Sequence, residues 1–264
     1  MFHQRRITFI LLLVLHAGWL MGQNGPGGVE NNNGSSSLFF WLRADSLHLN
    51  GSDIDTLYDL SGYNNHFVQP GVAHQPFYNS TDGNLNAMPS IDFDGNGEYL
   101  LNENGDALFN NTSGYTLFYV IQSDDASSDN GWFITDYPKG SDGLLSVRYD
   151  QTGSQSGNSN LITAGTGAGD IIETSAGSQS TNPQLLTYKW SSGVVPSFFI
   201  DGDAESLSYG SPVIGSITGA DSVVVGKGTM DISDTDGWDG RIAEVIYFNT
   251  ELNSAEQTIV ENYL

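Results

Sequence analysis

The chain has 264 residues, and its 31 acidic residues outweigh 8 lysines and arginines, which gives a formal net charge of -23. Such an anionic surface repels phosphate groups, so we exclude nucleic acid as a partner. The chain has no cysteine, which excludes disulfide staples, thiol catalysis and cysteine-bound zinc. Its 32 glycines and its 38% hydrophobic residues are typical of a folded protein with many turns.

Residues 1–23 have the pattern of a secretory signal peptide. Arg5 and Arg6 precede a short apolar run, and the segment ends near Gly22. The run is interrupted by His16 and is too short to favour a membrane anchor. We therefore expect a protein that is secreted or lies on the cell surface, with no membrane insertion after the signal peptide is cleaved.

The mature chain is rich in short β-type runs that are bounded by Gly, Asn, Asp or Pro. Residues 24–37 contain no obvious core position and predict a flexible lead-in. The runs then follow at 38–43, 56–58, 89–93, 99–101, 115–122, 132–135, 144–149, 171–174, 184–190, 197–200, 222–225 and 241–248. Strands at this spacing, without helices between them, predict one all-β sandwich or barrel domain over residues 38–264.

Two features near the end of the chain predict local structure in more detail. In the last run, Ile242, Val245 and Tyr247 break strict alternation, which indicates a bulge or burial on both faces. After it, Asn253 and Glu256 have the spacing of a capping box. They predict one short C-terminal helix, whose apolar stripe is formed by Ile259, Val260 and Tyr263.

Three stretches resemble the concanavalin A-like lectin/glucanase superfamily, and within it the laminin G-like domains of secreted Bacteroidetes-type proteins. They are residues 38–45 with 57–65, residues 88–95, and residues 240–249 with the helix that follows. The resemblance implies a two-sheet antiparallel jelly-roll sandwich, in which loops at one rim or the concave face bind ligand. It also implies a longer parent chain with further domains. It does not specify the ligand, because this fold serves lectins, hydrolases, lyases and adhesion modules.

No convincing pair of catalytic carboxylates is visible. A retaining glycosidase needs two carboxylates about 5–5.5 Å apart, which alternate positions on one strand can supply. Asp92 with Asp94, and Asp201 with Asp203, have this spacing but lie beside Gly at strand ends, where Asp makes turns. Glu244 lies on an aromatic-rich strand without an acidic residue two positions away. We therefore predict no catalytic residues and favour a protein that is not an enzyme.

An acidic loop near the last strand is the candidate metal site. Asp231, Asp234, Asp236 and Asp239 bring several hard oxygens together within nine residues, as Ca²⁺ requires. The pattern lacks the terminal bidentate Glu of a calcium-binding loop, and a solvated turn is the alternative interpretation. Calcium is the one candidate cofactor that the sequence offers.

Aromatic side chains in loop-like sequence are the candidate sugar contacts, because a pyranose ring stacks on Trp or Tyr. Trp238, Trp132, Tyr137 and Tyr63 lie beside Gly, Asn or Asp, and Trp238 inside the acidic loop is the preferred contact. The alternative for each of them is packing against its own hairpin.

The sequence thus predicts a secreted, non-catalytic carbohydrate-binding or adhesion module, with calcium as its candidate cofactor. Its expected partner is a polysaccharide or a cell-surface glycan. One alternative is a polysaccharide-degrading glycoside hydrolase or lyase module. Another is a structural spacer domain of a large surface adhesin.

Overall fold

The computed structural model describes residues 24–104, 114–126, 132–137, 146–150, 161–165, 171–209, 222–227 and 237–264. In chain order its strands are β1 (Leu38–Asn50), β2 (Asp53–Asp59), β3 (Phe67–Val68), β4 (Phe77–Asp82), β5 (Met88–Asp94), β6 (Leu100–Asn102), β7 (Gly114–Ser123), β8 (Trp132–Tyr137), β9 (Ser146–Asp150), β10 (Leu161–Gly165), β11 (Ile171–Glu173), β12 (Gln184–Ser191), β13 (Ser197–Ile200), β14 (Asp203–Ala204), β15 (Ser208–Tyr209), β16 (Ser222–Val225) and β17 (Asp239–Phe248). One α-helix within these ranges, α1 (Ser254–Tyr263), follows the last strand.

The strands form two layers. One layer, which we call the helix-side sheet because α1 packs on it, has the strand order β14-β13-β12-β7-β17. The other edge of β17 pairs with β5 near its start and with β1 near its end, and β4 pairs with the far edge of β5. The distal sheet runs β2-β3-β6-β16-β8-β9-β10-β11-β15. Strand β1 pairs with β17 at its start and with β2 at its end, so it joins the layers as in a barrel. The predicted all-β sandwich with a short C-terminal helix is confirmed.

The core lies between the two sheets and is rich in aromatic rings. The fully buried tyrosine rings Tyr115, Tyr188 and Tyr247 lie together there, with centroids 5.6 Å apart for the first pair and 6.1 Å apart for Tyr115 and Tyr247. Phe40 from β1 lies 5.1 Å from Tyr247. Side chains of this size bury a large apolar area, which stabilises a sandwich that has no disulfide.

Strand β17 has a bulge and is also buried on both faces, which are the two alternatives that its sequence left open. The register with β7 shifts between Ile242 and Glu244, which marks a bulge. As a result Ile242 and Val245, three residues apart, both point into the inter-sheet core together with Tyr247. Ile246 belongs instead to the cluster beneath α1 on the opposite face. The strand is therefore buried on both faces along its second half.

Helix α1 begins with the predicted capping box, in which Asn253 accepts from the backbone N–H of Glu256 and the Glu256 side chain accepts from the backbone N–H of Asn253. The predicted apolar stripe is only partly correct. Val260 is fully buried, but Ile259 is 45% exposed and Tyr263 is 38% exposed. The sheet below the helix also supplies polar partners, because the Lys189 ammonium donates to Gln257 at 3.2 Å.

The lead-in at 24–37 makes core contacts that the sequence did not predict. Pro26 is buried in a short 3-10 turn, and Val29, only 4% exposed, joins the apolar cluster beneath α1. The backbone N–H of Gly34 donates to the carbonyl of Ser61 at 3.1 Å. The expectation of a lead-in without core residues is therefore wrong, because α1 and the β1 edge provide a surface that it covers.

None of the helices in the described part of the chain combines the length and the apolar character that crossing a membrane requires.

Candidate functional site

A groove of about 600 Å³ lies on the outer face of the helix-side sheet, beside the end of α1. Small-molecule sites have volumes of roughly 300–1,000 Å³. Strands β1, β17, β7 and β12 form its floor, and the segment between β4 and β5 forms one wall. The described lining residues are Arg43, Ala44, Asp45, Asn84, Leu85, Asn86, Met88, Pro89, Val120, Pro183, Leu185, Asp201, Ala243, Glu244, Tyr263 and Leu264. We call this feature the α1 groove.

Glu244 is the carboxylate on the groove floor, and it is placed there by the β17 bulge. The indole N–H of Trp41 on β1 donates to its Oε1 atom, and Tyr263 from α1 lines the groove with it. Burial raises the pKa of Glu244 to about 7, although Trp41, Tyr263 and Arg43 act in the opposite direction. The groove thus contains a carboxyl group that titrates near neutral pH.

Arg43 carries the one positive charge among the described lining residues. Its guanidinium donates two hydrogen bonds to the carboxylate of Asp45, and the bond from Nε to Oδ1 is 3.0 Å long. The guanidinium carbon also lies 5.8 Å from the centroid of the Trp41 ring, at a distance typical of a cation–π contact. The charge of Arg43 is therefore already neutralised within the protein.

The wall between β4 and β5 is held in place by the buried carboxylate of Asp82. Asp82 is 2% exposed and accepts from the backbone N–H of Asn84 at 2.9 Å and from the Ser90 hydroxyl at 2.8 Å. The Arg241 Nε atom on β17 lies 3.1 Å from the same carboxylate. Because of this anchor, Asn84 and Asn86 present their exposed amides along the groove rim.

Asp201 lies on the opposite rim, in the β13–β14 hairpin. Asp201 and Gly202 have φ values of 53° and 83°, as a two-residue type I′ turn requires. The Asp201 carboxylate accepts from the backbone N–H of Leu185 at 2.9 Å. The predicted turn role of Asp201 is therefore confirmed, and the same residue also lines the groove. Asp94, the other predicted turn residue, accepts from the Asn96 backbone N–H at 2.9 Å.

Trp238, the preferred sugar contact of the sequence analysis, lies in the core. It is 1% exposed, and its ring is 5.2 Å from the ring of Tyr149 in an edge-on contact. Its backbone N–H donates to the carbonyl of Gly226 at 2.7 Å. The expectation of an exposed Trp238 is wrong, because the chain after the acidic loop turns directly into β17 and its side chain points between the sheets.

The other predicted aromatic contacts lie apart from the groove or outside the described side chains. Trp132 and Tyr137 are the end residues of β8, and their side chains are outside the described part. The Tyr63 hydroxyl donates to the carbonyl of Ser36 at 2.8 Å, and its ring lies 4.8 Å from that of Phe39. Burial raises the pKa of Tyr63. These contacts favour a packing role for Tyr63, although its partners belong to the lead-in and to β1 and not to its own hairpin.

The calcium prediction concerns residues that are mostly outside the described part. Asp231, Asp234 and Asp236 lie there, whereas Asp239 starts β17. Burial, followed by the nearby charges of Asp124 and other aspartates, raises the pKa of Asp239. Within the described ranges, no three His, Cys, Asp or Glu side chains converge as a metal site requires. Calcium therefore stays a prediction.

The sequence did not predict the α1 groove, because its lining carboxylates do not form a pair on one strand. The available signal was Glu244, a charged residue that lies among apolar residues in the second half of β17. Its neighbours Arg43 and Tyr263 come from β1 and from the C-terminal helix, and only the fold brings these three residues together.

The architecture defines an all-β sandwich with a ligand-sized groove on one sheet. No family model matches the sequence, and no curated protein matches it. Solved structures with a similar fold include the binding domain of Paraclostridial Mosquitocidal Protein 1, with TM-score 0.56, 15% identity and coverage of 86% of this chain and 51% of that chain. A Trypanosoma rangeli sialidase in complex with 2,3-difluorosialic acid has TM-score 0.56, 14% identity and coverage of 86% and 33%.

A third similar structure is botulinum neurotoxin type C, whose cell entry depends on interaction with two ganglioside molecules. It has TM-score 0.51 and 14% identity, with coverage of 88% of this chain and 52% of that chain. The chain thus spans between a third and about half of the length of these proteins. At these identities the likeness is one of fold.

Proposed function

We propose that this protein is a secreted, non-catalytic carbohydrate-binding module of the laminin G-like jelly-roll type, and that the α1 groove holds the glycan. The observation that carries this proposal is the composition of the groove. Arg43, Asp45, Asn84, Asn86, Asp201 and Glu244 contribute hydrogen-bonding groups, and Leu85, Met88, Pro89, Val120 and Leu185 contribute apolar surface. A sugar needs both kinds of contact, since its ring faces are apolar and its edges carry hydroxyls.

The similar folds support a carbohydrate ligand in general. The proteins named above include a sialidase that was solved with a sialic acid derivative and a neurotoxin that interacts with gangliosides. An arabinofuranosidase with TM-score 0.56 and 15% identity was solved with arabinofuranosyl-α-1,2-xylobiose. Since fold alone does not define a site, the groove residues carry the proposal and these likenesses add to it.

A glycoside hydrolase is the second candidate, and Glu244 is the observation that favours it. A carboxyl group with a pKa of about 7 in a groove has the property that a general acid needs. Hydrolysis also needs a second carboxylate as base or nucleophile. The other lining carboxylates are Asp45, which is paired with Arg43, and Asp201, which accepts from the backbone N–H of Leu185. A binding role is therefore the better-supported one.

The binding proposal is tested on a glycan array with the mature protein and two matched variants. Asn84→Ala with Met88→Ala removes two exposed side chains from the groove wall. Val72→Ala with Asn104→Ala removes the same kinds of exposed side chain elsewhere. We expect the groove variant to lose at least tenfold in affinity for the bound glycan and the control variant to keep it.

Three results would overturn this proposal. Equal losses in both variants would mean that the glycan binds outside the groove. Binding to no glycan would favour the spacer alternative. Release of reducing sugar by the mature protein, abolished by Glu244→Gln, would replace the binding proposal with the hydrolase.

Export is part of the same proposal and rests on the pattern of residues 1–23. N-terminal sequencing of the exported protein should give a start near residue 23, and a start at Met1 would contradict it.

A further inference from the structure

The α1 groove is lined by more negative than positive groups. Asp45, Asp201 and Glu244 contribute three carboxyl groups, whereas Arg43 is the one cation among the described lining residues. The whole chain adds to this bias, with a formal net charge of -23. A ligand that carries carboxylates would meet repulsion both at long range and inside the groove.

Among the described lining residues, Arg43 is the one that can form an ion pair with an anionic sugar. It already forms an ion pair with Asp45. Arg and carboxylate form a planar pair with two parallel hydrogen bonds, which satisfies the charge and the geometry of both groups. Asp45 forms this pair with the Nε and one terminal nitrogen of Arg43. A carboxylate of a ligand would therefore have to displace Asp45, which then remains as an unpaired charge beside it.

We propose that Asp45 is the specificity-determining residue of the α1 groove: its pair with Arg43 makes the groove select neutral glycans over glycans that carry carboxylates. This inference rests on the proposed function and adds the class of glycan to it. Uronic acid polymers and sialylated glycans are rejected, and neutral hexose or pentose chains are accepted. Removal of the Asp45 charge leaves the guanidinium of Arg43 without its carboxylate partner, so that it can bind the carboxylate of a sugar.

The test compares each of three uronic acid polymers with its own carboxyl-reduced form. Polygalacturonate, polyglucuronate and alginate keep their linkages on reduction, so charge is the main difference within each pair. Binding of the mature protein is measured by affinity electrophoresis at 150 mM salt, where long-range repulsion is screened beyond about 8 Å. We expect at least one reduced polymer to bind tenfold or more tightly than its acidic parent.

Two variants then assign the selectivity to Asp45. Asp45→Asn removes one negative charge beside Arg43. Asp55→Asn removes one negative charge from the exposed pair with His48, outside the groove lining. We expect Asp45→Asn to reduce the preference for the neutral polymer at least fivefold, and Asp55→Asn to leave it unchanged. A thermal melt establishes that both variants are folded.

The outcomes separate this inference from the proposed function. If the groove binds a neutral glycan but the wild-type protein binds an acidic parent equally well, the selectivity is wrong and the binding function stands. If Asp45→Asn and Asp55→Asn change the preference equally, Asp45 is not its determinant. If the wild-type protein binds no glycan, the proposed function fails and the inference fails with it.

Discussion

The indole N–H of Trp41 donates to the carboxylate of Glu244 across the β1–β17 pair. Trp41 also contacts the apolar cluster beneath α1, and its ring lies 6.0 Å from that of Tyr263 in an edge-on contact. The same small set of side chains thus connects the docking of the C-terminal helix to the floor of the groove. This connection makes the ionisation of Glu244 relevant both to stability and to the proposed binding of a glycan.

The first prediction concerns the pH dependence that Glu244 gives to folding. Burial raises its pKa from 4.5 to about 7, so the folded state favours the protonated form. Its stabilising contribution is fully present below pH 4.5 and is lost as the pH rises through 7. The upper limit of the loss is about 3 kcal/mol, from ~1.36 kcal/mol for each pKa unit. Glu244→Gln should remove this loss of stability. Denaturant unfolding at pH 4.5 and at pH 8 measures the difference in unfolding free energy between the two pH values.

The matched control for Glu244→Gln is Glu103→Gln, because Glu103 is exposed. A substitution there should leave the difference between the two pH values unchanged. The same pH dependence in Glu244→Gln and in the wild-type protein would contradict the assignment.

A second carboxyl group contributes to the same pH range. Burial raises the pKa of Glu98 to about 7, although the backbone N–H of Asp94 donates to it at 2.8 Å. Glu98 therefore changes the stability in the same direction as Glu244, and its stabilising contribution is lost as the pH rises through 7. Glu98→Gln alone should remove part of the wild-type pH dependence, and combined with Glu244→Gln it should leave a flatter profile. Additive behaviour is expected, because the two residues lie in separate parts of the fold.

The third prediction tests the docking of α1. Val260→Ala removes two buried methyl groups from the cluster beneath the helix and should cost about 2 kcal/mol of unfolding free energy. Ile259→Ala on the same helix truncates a side chain that is 45% exposed, so its cost should be clearly smaller. Urea denaturation of both variants gives the comparison. Equal costs would mean that the helix docks through a different face.

The fourth prediction compares two glycines that both have positive φ. Gly226 has φ of 94°, and an added Cβ would lie 2.1 Å from the Phe93 ring. Gly51 has φ of 74° in open space. Gly51→Ala should cost about 1 kcal/mol, from backbone strain alone. Gly226→Ala adds a steric clash with a buried ring and should cost at least ~3 kcal/mol or prevent folding. Similar melting temperatures for the two variants would contradict this packing.

The fifth prediction is that the acidic loop of Asp231, Asp234, Asp236 and Asp239 binds Ca²⁺. An ion that binds only the folded loop stabilises it, by about 2.7 kcal/mol at a hundredfold excess over Kd. Ca²⁺ should therefore raise the melting temperature more than Mg²⁺ at equal ionic strength. Asp234→Asn with Asp236→Asn should remove the difference. Equal effects of the two ions on the wild-type protein would favour a solvated turn.

Substitutions of Trp238 test whether its ring is buried in the core. Because its ring is buried beside Tyr149, Trp238→Ala should lower the unfolding free energy by about 3–5 kcal/mol. Trp238→Phe should cost less, since it keeps an aromatic ring in the core. A Trp238→Phe protein that is fully folded but has lost its glycan binding would restore the role predicted from the sequence.

The features that the sequence predicted correctly depend on residues close together in the chain. The capping box needs only Asn253 and Glu256, and the β13–β14 hairpin needs only Asp201 and Gly202. The bulge in β17 is visible because Ile242 and Val245 are three residues apart and share one face. Hydrogen bonds and backbone preferences over a few residues decide such features, whatever the rest of the fold does.

Strand spacing and local hydrogen bonding are sufficient to predict the all-β class, the terminal helix and several turns from the sequence. The tertiary structure alone decided that Trp238 is buried and that residues 24–37 contribute Val29 to the cluster beneath α1. It alone also brought Arg43, Glu244 and Tyr263 to one groove, from two strands and a helix that are distant in sequence. Burial and convergence depend on which sheet faces meet across the fold, and a side chain's own neighbours in the chain do not contain that information.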